Sequence, residues 1–172
     1  MNETNTLTRG NLDQLAFEMI AWDREDPKRI QHFLKVHALC RLIGLGEGLA
    51  PEELYILEAA AYVHDIGIRA AEQKYGTQNG KLQEELGPPL AEALLKKLGF
   101  ADDVISRVCW LVGHHHTYTG ISGQDYRILI EADWLVNNYE YGLTGRTIYA
   151  SYDRIFVTET GKKLFTEMYG KP

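Results

Sequence analysis

Apolar residues recur at spacings of three and four along almost the whole chain, and the alternation typical of β-strands is nowhere sustained. This spacing places the apolar side chains on one face of each helix, so it predicts helices that pack through apolar stripes. With 172 residues, 45% of them hydrophobic, the chain is long enough to bury one core. We therefore predict a mostly α-helical chain. It forms a single domain over residues 1–172, with its core at about 27–140 and short flanking helices at both ends.

Glycine, proline and capping residues divide this pattern into segments. The segment from residue 68 to about 83 is polar and contains glycine, and we predict that it is a surface loop. The predicted helices cover about 10–23, about 27–43, Pro51 to His64, a segment opened by Pro88 and Pro89, Asp102 or Asp103 to the histidine triplet, about 125–140, and two short stretches after Gly142, the last capped by Thr158 or Thr160.

Charge and composition exclude several classes of partner. The net charge of −6 argues against a nucleic-acid polymer and against an anionic membrane surface, since both require a concentrated basic surface. Neither a signal-peptide pattern nor an apolar run of about 18 residues is present, which predicts a cytoplasmic protein with no membrane span. Cys40 and Cys109 lie in apolar helical patterns and are predicted to be buried free thiols.

An aspartate lies at the end of an alanine-rich apolar helix, in the sequence from Ala59 to Ile66. A carboxylate buried alone there would cost several kcal/mol, so Asp65 needs a strong partner, and a metal ion is one such partner. Consecutive helical residues point about 100° apart. His64 and Asp65 can therefore share one ion only where the helix ends, and Gly67 indicates that it ends there.

Two further polar residues lie on apolar helical faces. His37 follows the stripe of Val36 and Cys40, and Asp133 lies among apolar neighbours. Alone, each is better interpreted as a hydrogen-bonded core residue. Together with His64 and Asp65 they form a set of nitrogen and carboxylate ligands that suits a divalent transition ion such as zinc, manganese, iron, nickel or cobalt.

The order of these residues resembles the HD-domain superfamily of metal-dependent phosphohydrolases, over about residues 30–140. The resemblance is carried by His37, Val63-His64-Asp65-Ile66-Gly67, Gly113-His114-His115-His116-Thr117 and Glu131-Ala132-Asp133. It implies that His37, His64, Asp65 and Asp133 bind one ion in an all-α bundle of five or more core helices. It also implies hydrolysis of a small phosphorylated substrate, often a nucleotide.

The histidine triplet is a candidate for a second ion, because two-metal members of the superfamily bind it through histidine on this helix. Periodicity from Val108 turns His115 inward, whereas periodicity from Cys109 favours His116. We predict that both bind metal and that His114 is more exposed. A cluster of solvent-facing histidines at a helix end is the alternative.

The sequence also departs from several branches of the superfamily. It has no histidine between His64 and His114, where two-metal members often carry one, and Glu84 or Glu85 would have to substitute. One ion is therefore expected, and the second stays open. The Gly-Tyr-Pro signature of cyclic-dinucleotide phosphodiesterases and the Glu-Asp pair of alarmone hydrolases are both absent, which disfavours those substrates.

Phosphoryl transfer requires cations beside the equatorial oxygens of the phosphoryl group. A divalent ion lowers the pKa of a bound water from ~15.7 toward ~7, and Asp65 is predicted to help position that nucleophile. Arg69, one helical turn after His64-Asp65, is the first candidate for a catalytic and substrate-binding cation, followed by Lys81 and Lys74 in the predicted loop. The alternative for each is a solvated surface charge.

Two other functions compete with the hydrolase. Some proteins with this ligand set are di-iron oxygenases, and a third interpretation is a non-catalytic binding or signalling module whose metal is structural or absent. Assembly is open as well, because the tyrosine-rich segment at 139–152 suits either a homodimer face or an outer layer of the core.

Overall fold

The computed structural model describes residues 10–150 and 152–171, which are all-helical, so the predicted fold class is confirmed. The described helices are α1 (Leu12–Trp22), α2 (Pro27–Gly46), α3 (Pro51–Val63), α4 (Ile68–Tyr75), α5 (Gly80–Lys97), α6 (Asp102–Val112), α7 (Gln124–Glu140), α8 (Arg146–Tyr149), α9 (Tyr152–Ile155) and α10 (Glu159–Tyr169). Helices α2, α3, α6 and α7 lie close to their predicted bounds, because long apolar stripes specify them.

Helix α2 lies at the centre of the bundle and packs against both α3 and α7. It begins at Pro27, where the Asp26 side chain accepts a hydrogen bond from the Arg29 backbone N–H. Helix α3 packs against α1, α6 and α7, and α5 packs against α4 and α6. Helices α3 and α7 therefore both lie against α2, and α6 adjoins them through its packing on α3.

The prediction of a surface loop at 68–83 is wrong, because α4 and the first turn of α5 occupy most of this segment. The Asn79 side chain accepts hydrogen bonds from the N–H groups of Lys81 and Leu82, which starts α5 there. Pro88 and Pro89 therefore lie inside α5 rather than at its beginning. Each proline removes one backbone donor, and packing of α5 against its two neighbours compensates for this loss.

Gly67 allows the turn after His64-Asp65 to approach α5 closely. A Cβ at this position would lie 2.8 Å from the Gln83 carbonyl oxygen and 2.9 Å from the Gly87 backbone nitrogen. Backbone atoms cannot move aside as a flexible side chain can, so only glycine fits here. The close approach fixes the position of Asp65 relative to α5.

Glu131 of α7 is fully buried and binds the segment that precedes α10. Its carboxylate accepts hydrogen bonds from the backbone N–H groups of Val157 (2.8 Å) and Thr158 (2.9 Å) and from the Thr158 hydroxyl (2.5 Å). Burial raises the pKa of Glu131 in spite of these bonds. Thr158 also caps α10. The described part of the chain has three helices after Gly142, whereas two were predicted.

Two composition-based expectations can be compared with the fold. Both cysteines are free thiols, as predicted, but only Cys40 is buried, whereas Cys109 is half-buried. Within residues 10–150 and 152–171, no helix combines the length and apolarity needed to cross a membrane.

Candidate metal centre

Three side chains from two parts of the fold converge in one cluster. His32 comes from the second turn of α2, and His64 and Asp65 directly follow α3. The Nε2 atoms of the two histidines lie 3.2 Å apart, and Asp65 Oδ2 lies 3.4 Å from His32 Nε2 and 3.5 Å from His64 Nε2. These atoms are close enough together to bind one ion.

Asp133 reaches the same cluster from the middle of α7. Its Oδ1 lies 3.2 Å from His32 Nε2 and 3.7 Å from His64 Nε2. The side chain of Asn137, one turn later, donates a hydrogen bond of 2.9 Å to the same oxygen. Two carboxylates and two imidazoles therefore face one another in a largely buried space.

The outer nitrogens of the histidine rings determine what the inner nitrogens can do. Each Nδ1 faces an oxygen that can only accept: Glu140 Oε2 for His32 (2.9 Å), the Ala61 carbonyl for His64 (2.8 Å) and the Val112 carbonyl for His115 (2.8 Å). Nδ1 must then carry the hydrogen, so the neutral ring presents an Nε2 lone pair to the cluster. Metal-binding histidines are commonly oriented in this way.

The pKa values reflect the concentration of negative charge. Burial opposes charging of His32, but Asp133, Asp65 and Glu140 outweigh it and raise the pKa of His32 to about 9. The pKa of His64 is raised in the same sense, again against burial. Burial likewise opposes ionisation of Asp133, yet the two imidazoles hold its pKa well below the usual range. The cluster favours positive charge at its centre.

The residues present fit a divalent ion. With Nδ1 protonated and the rings neutral, two Nε2 lone pairs and two carboxylates meet with no hydrogen among them, an arrangement that requires added positive charge. Either protonation of the rings or a cation supplies that charge. Nitrogen and carboxylate donors together suit a borderline transition ion.

A second group shares Asp65. His115 and His116 follow α6, and one ligand atom from each lies close enough to an Asp65 oxygen to bind one ion. The Nε2 of His115 is buried and has no hydrogen-bond partner in the described structure, although Asp65 Oδ1 lies 3.3 Å away. An unpartnered buried nitrogen facing a carboxylate is an observation that a cation would explain.

Residues of helix α5 determine which ring nitrogen of His116 carries the hydrogen. The Gln83 side chain donates its amide hydrogen to the Gln78 carbonyl, so its oxygen accepts from His116 Nε2 at 2.9 Å. His116 Nδ1 is left as the acceptor, and burial, together with His115, lowers the pKa of His116 to about 4. Glu84 accepts hydrogen bonds from the His116 backbone N–H and the Thr117 hydroxyl, which positions this turn.

His37 does not reach the cluster, and this corrects the predicted ligand set. Its Nε2 lies 3.0 Å from Glu58 Oε1, and its ring stacks on that of Tyr62 at 4.0 Å. Residues 32 and 37 differ by five positions on α2, which rotates their side chains about 140° apart. His32 takes the place expected for His37, while the metal-binding roles of His64, Asp65, Asp133, His115 and His116 stay predictions.

The contacts of His114, Arg69 and Lys74 are made with residues outside the cluster. His114 Nδ1 bonds to the Trp110 carbonyl at 2.7 Å, and its ring stacks on that of Trp110. Arg69 donates to the Arg24 carbonyl at 3.3 Å. Lys74 and Lys81 are exposed, and Lys74 Nζ lies 5.0 Å from the ring of Tyr75. Their roles toward a substrate are untested.

Two residues of the cluster, His32 and Asp65, line a cleft with a volume of about 110 Å³. Two basic residues from the first turn of α2, which sequence analysis missed, line this cleft. Arg29 is engaged by Glu72 at 2.5 Å and Asp26 at 3.4 Å, whereas Lys28 makes no ion pair among the described residues. Lys28 Nζ instead lies 5.7 Å from the ring of Tyr141. The lining residues are Asp26, Lys28, Arg29, His32, Asp65, Ile68, Gln78, Asn137, Glu140 and Tyr141.

Comparison with a solved structure supports the fold. The chain is similar to the crystal structure of a predicted HD superfamily hydrolase from an uncultured Thermotogales bacterium. The two are 24% identical, the match covers 97% of this chain and 90% of the other, and the TM-score is 0.66. No curated protein matches the chain.

Comparison with family models identifies the family of the chain. The model of the HD domain matches residues 29–144, which is more than half of the chain. This range contains the histidines and aspartates of both groups that could hold a metal ion. The chain therefore belongs to the HD domain family, which is part of a superfamily of metal-dependent hydrolases.

Proposed function

We propose that this chain is a metal-dependent phosphohydrolase that cleaves a phosphate ester of a nucleotide or another small metabolite. The observation that carries the proposal is the convergence of imidazole Nε2 atoms and carboxylate oxygens beside a cleft that also contains basic residues. His32, His64, Asp65 and Asp133 would hold the ion. When bound, a divalent ion supplies the charge that acidifies a water molecule and polarises a phosphoryl oxygen.

Asp65 is the residue best placed to orient an attacking water. Burial opposes its ionisation, but His64, His115 and His32 hold the pKa of Asp65 well below its usual range. It therefore stays ionised and can accept a hydrogen bond at neutral pH. Its side chain is 24% exposed, so the carboxylate also faces the cleft.

Lys28 is the residue best placed to bind the phosphoryl group. Arg29 is already engaged by two carboxylates, and this holds it as part of the cleft wall. The volume of about 110 Å³ is well below the ~300 Å³ at which pockets for whole ligands usually begin. The phosphoryl group would enter the cleft, and the rest of the ester would lie outside it near Tyr141.

The test combines metal content with phosphate release. Wild type and Asp65→Ala would be purified without chelator, analysed for bound metals, and assayed with a panel of nucleotides and sugar phosphates. We expect about one ion per chain in the wild type, with both the ion and phosphate release lost in the variant. Bound metal without phosphate release from any member of the panel would contradict the proposal.

A di-iron oxygenase is the second candidate, because the two oxygens of Asp65 face different groups. Oδ2 lies beside His32 and His64, whereas Oδ1 lies beside His115, so Asp65 would help to hold an ion in each group if two were bound. Two irons per chain, with oxygen consumption and no phosphate release, would favour this function. A single ion with phosphate release would exclude it.

A further inference from the structure

We propose that Glu140 and Lys35 are positioning residues that set how tightly His32 holds a metal ion, with opposite effects on its affinity. The inference rests on the proposed function, since it assumes that an ion binds at His32. Glu140 is the last residue of α7, and Lys35 follows His32 by three positions on α2. The pair therefore joins the two helices directly behind the metal-binding cluster.

Glu140 is the acceptor for the outer nitrogen of His32. Its Oε2 lies 2.9 Å from His32 Nδ1, and its side chain is only 10% exposed. A charged acceptor at Nδ1 fixes the ring and makes Nε2 a stronger electron donor, and loss of such a partner typically weakens metal binding about 10- to 100-fold. His64 and His115 have neutral backbone carbonyls in the same position. Among these three rings, His32 alone has a charged side chain as its acceptor.

Lys35 moderates the charge of Glu140. Its Nζ lies 2.7 Å from Glu140 Oε1, the oxygen that does not face His32. An ammonium at this distance attracts the negative charge of the carboxylate away from His32 and should weaken the electron donation of the ring. Lys35 would thus lower the metal affinity that Glu140 raises.

The pair also connects two surfaces of the molecule. Glu140 lines the cleft above the cluster, whereas Lys35 lines an apolar groove of about 400 Å³ between α2, α7 and α10. The Lys35 side chain is 39% exposed there and lies 5.4 Å from the ring of Tyr139. The residue that moderates metal affinity is therefore accessible from outside the cleft.

The proposal can be tested without any substrate. The full chain is stripped of metal with a chelator and titrated with Co²⁺ alone, and calorimetry measures the affinity. We expect Glu140→Gln to weaken binding about tenfold, because the neutral amide still accepts from Nδ1 but carries no charge. Lys35→Met should tighten binding severalfold. Damage to the fold would weaken binding in both variants, so opposite signs distinguish positioning from a structural role. Thermal melting of each metal-free variant checks that it is folded.

The double variant Lys35→Met/Glu140→Gln determines whether Lys35 acts through Glu140. We expect it to bind Co²⁺ as Glu140→Gln does, since the lysine then has no charged carboxylate to moderate. If Lys35→Met tightened binding equally in both backgrounds, Lys35 would act as a distant charge and the proposal would be wrong. Lys97→Met is the matched control, because it removes an exposed lysine whose carboxylate partner, Glu18, is not a residue of the cleft.

Two outcomes separate this inference from the proposed function. Wild type that binds Co²⁺, with Glu140→Gln binding it equally well, would overturn the inference and leave the hydrolase proposal intact. Wild type that binds no divalent ion would overturn both.

Discussion

His32 and His37 lie five residues apart on α2, and each imidazole hydrogen-bonds to a largely buried carboxylate. Their surroundings differ in the balance of charge. His32 Nε2 faces Asp65, Asp133 and another imidazole, whereas His37 faces Glu58, which Arg41 already neutralises at 3.0 Å. The pKa of His32 is raised to about 9, while burial lowers the pKa of His37. The helix therefore carries one imidazole that requires added positive charge and one that does not.

This difference shows what distinguishes a metal centre from a core ion pair. A buried histidine beside a carboxylate occurs in both places. Of the two histidines, only His32 has surplus negative charge around it together with lone pairs that converge on one point. Conversely, the stacking of His37 on Tyr62 and its bond to Glu58 use its ring in packing and hydrogen bonding.

The largest effect is expected for His32→Ala. Removing a direct ligand should weaken Co²⁺ binding by on the order of 100-fold or more, beyond the cost of losing an outer partner. Calorimetric titration of the metal-free protein measures this. An unchanged affinity would show that His32 is not a ligand and would remove the distinction between the two histidines.

His37→Ala should instead affect stability. Glu58 would lose one of its two partners while staying largely buried, which we expect to lower the free energy of unfolding by about 1–3 kcal/mol. Urea denaturation measures the change, and Co²⁺ affinity should match the wild type. A loss of metal comparable to that of His32→Ala would restore His37 as a ligand and contradict the geometry.

The pH dependence of the metal-free protein should follow His32. Its pKa is about 9 in the folded state and about 6.5 when unfolded, so between these values the folded state retains a proton that the unfolded state has lost. Its contribution to stability is complete below pH 6.5 and is lost as the pH rises through 9. Melting temperature in the presence of chelator should fall by several degrees over this range.

Metal-loaded protein is the control for that experiment, because an ion replaces the proton and should flatten the profile. His37→Ala should keep the same pH dependence as the wild type, since the lowered pKa of His37 contributes nothing in this window. A flat profile for metal-free wild type would show that His32 is not the group that titrates.

The smallest effect is expected for Lys28→Ala. Lys28 is a partly solvated cation of the cleft, so its loss should raise KM for a phosphate ester about fivefold, equivalent to about 1 kcal/mol. The rate constant kcat should change less. Lys81→Ala, which removes an exposed lysine outside the cleft, is the control; an equal rise in KM there would show that Lys28 has no special role.

Helical periodicity predicted most of the fold because long apolar stripes determine how helices pack. The loop predicted at 68–83 is wrong because two local signals compete there. Pro88 and Pro89 favour a helix that starts at residue 88, whereas Asn79 favours one that starts at residue 80. The cap at Asn79 was present in the sequence and would have indicated the correct beginning of α5. Interior prolines are tolerated there because of tertiary packing, which a linear pattern does not contain.

The candidate site was predictable only in part. His32 precedes Val36 and Cys40 by four and eight positions, so the same apolar stripe that suggested His37 fits His32 better. That signal was available and was missed. Lys28, Lys35 and Glu140 gave no comparable signal, because their roles depend on how the ends of α2 and α7 meet.

The carboxylate of Glu131 has a consequence for hydrogen exchange. The amide protons of Val157 and Thr158 are both bound by this one side chain, so their exchange with solvent requires that the segment separates from Glu131. Asp133 lies two residues further along the same helix. An ion that stabilises α7 through Asp133 would therefore slow hydrogen exchange at these two amides, which lie far from Asp133 in the sequence. Their exchange rates would then report whether the ion is bound.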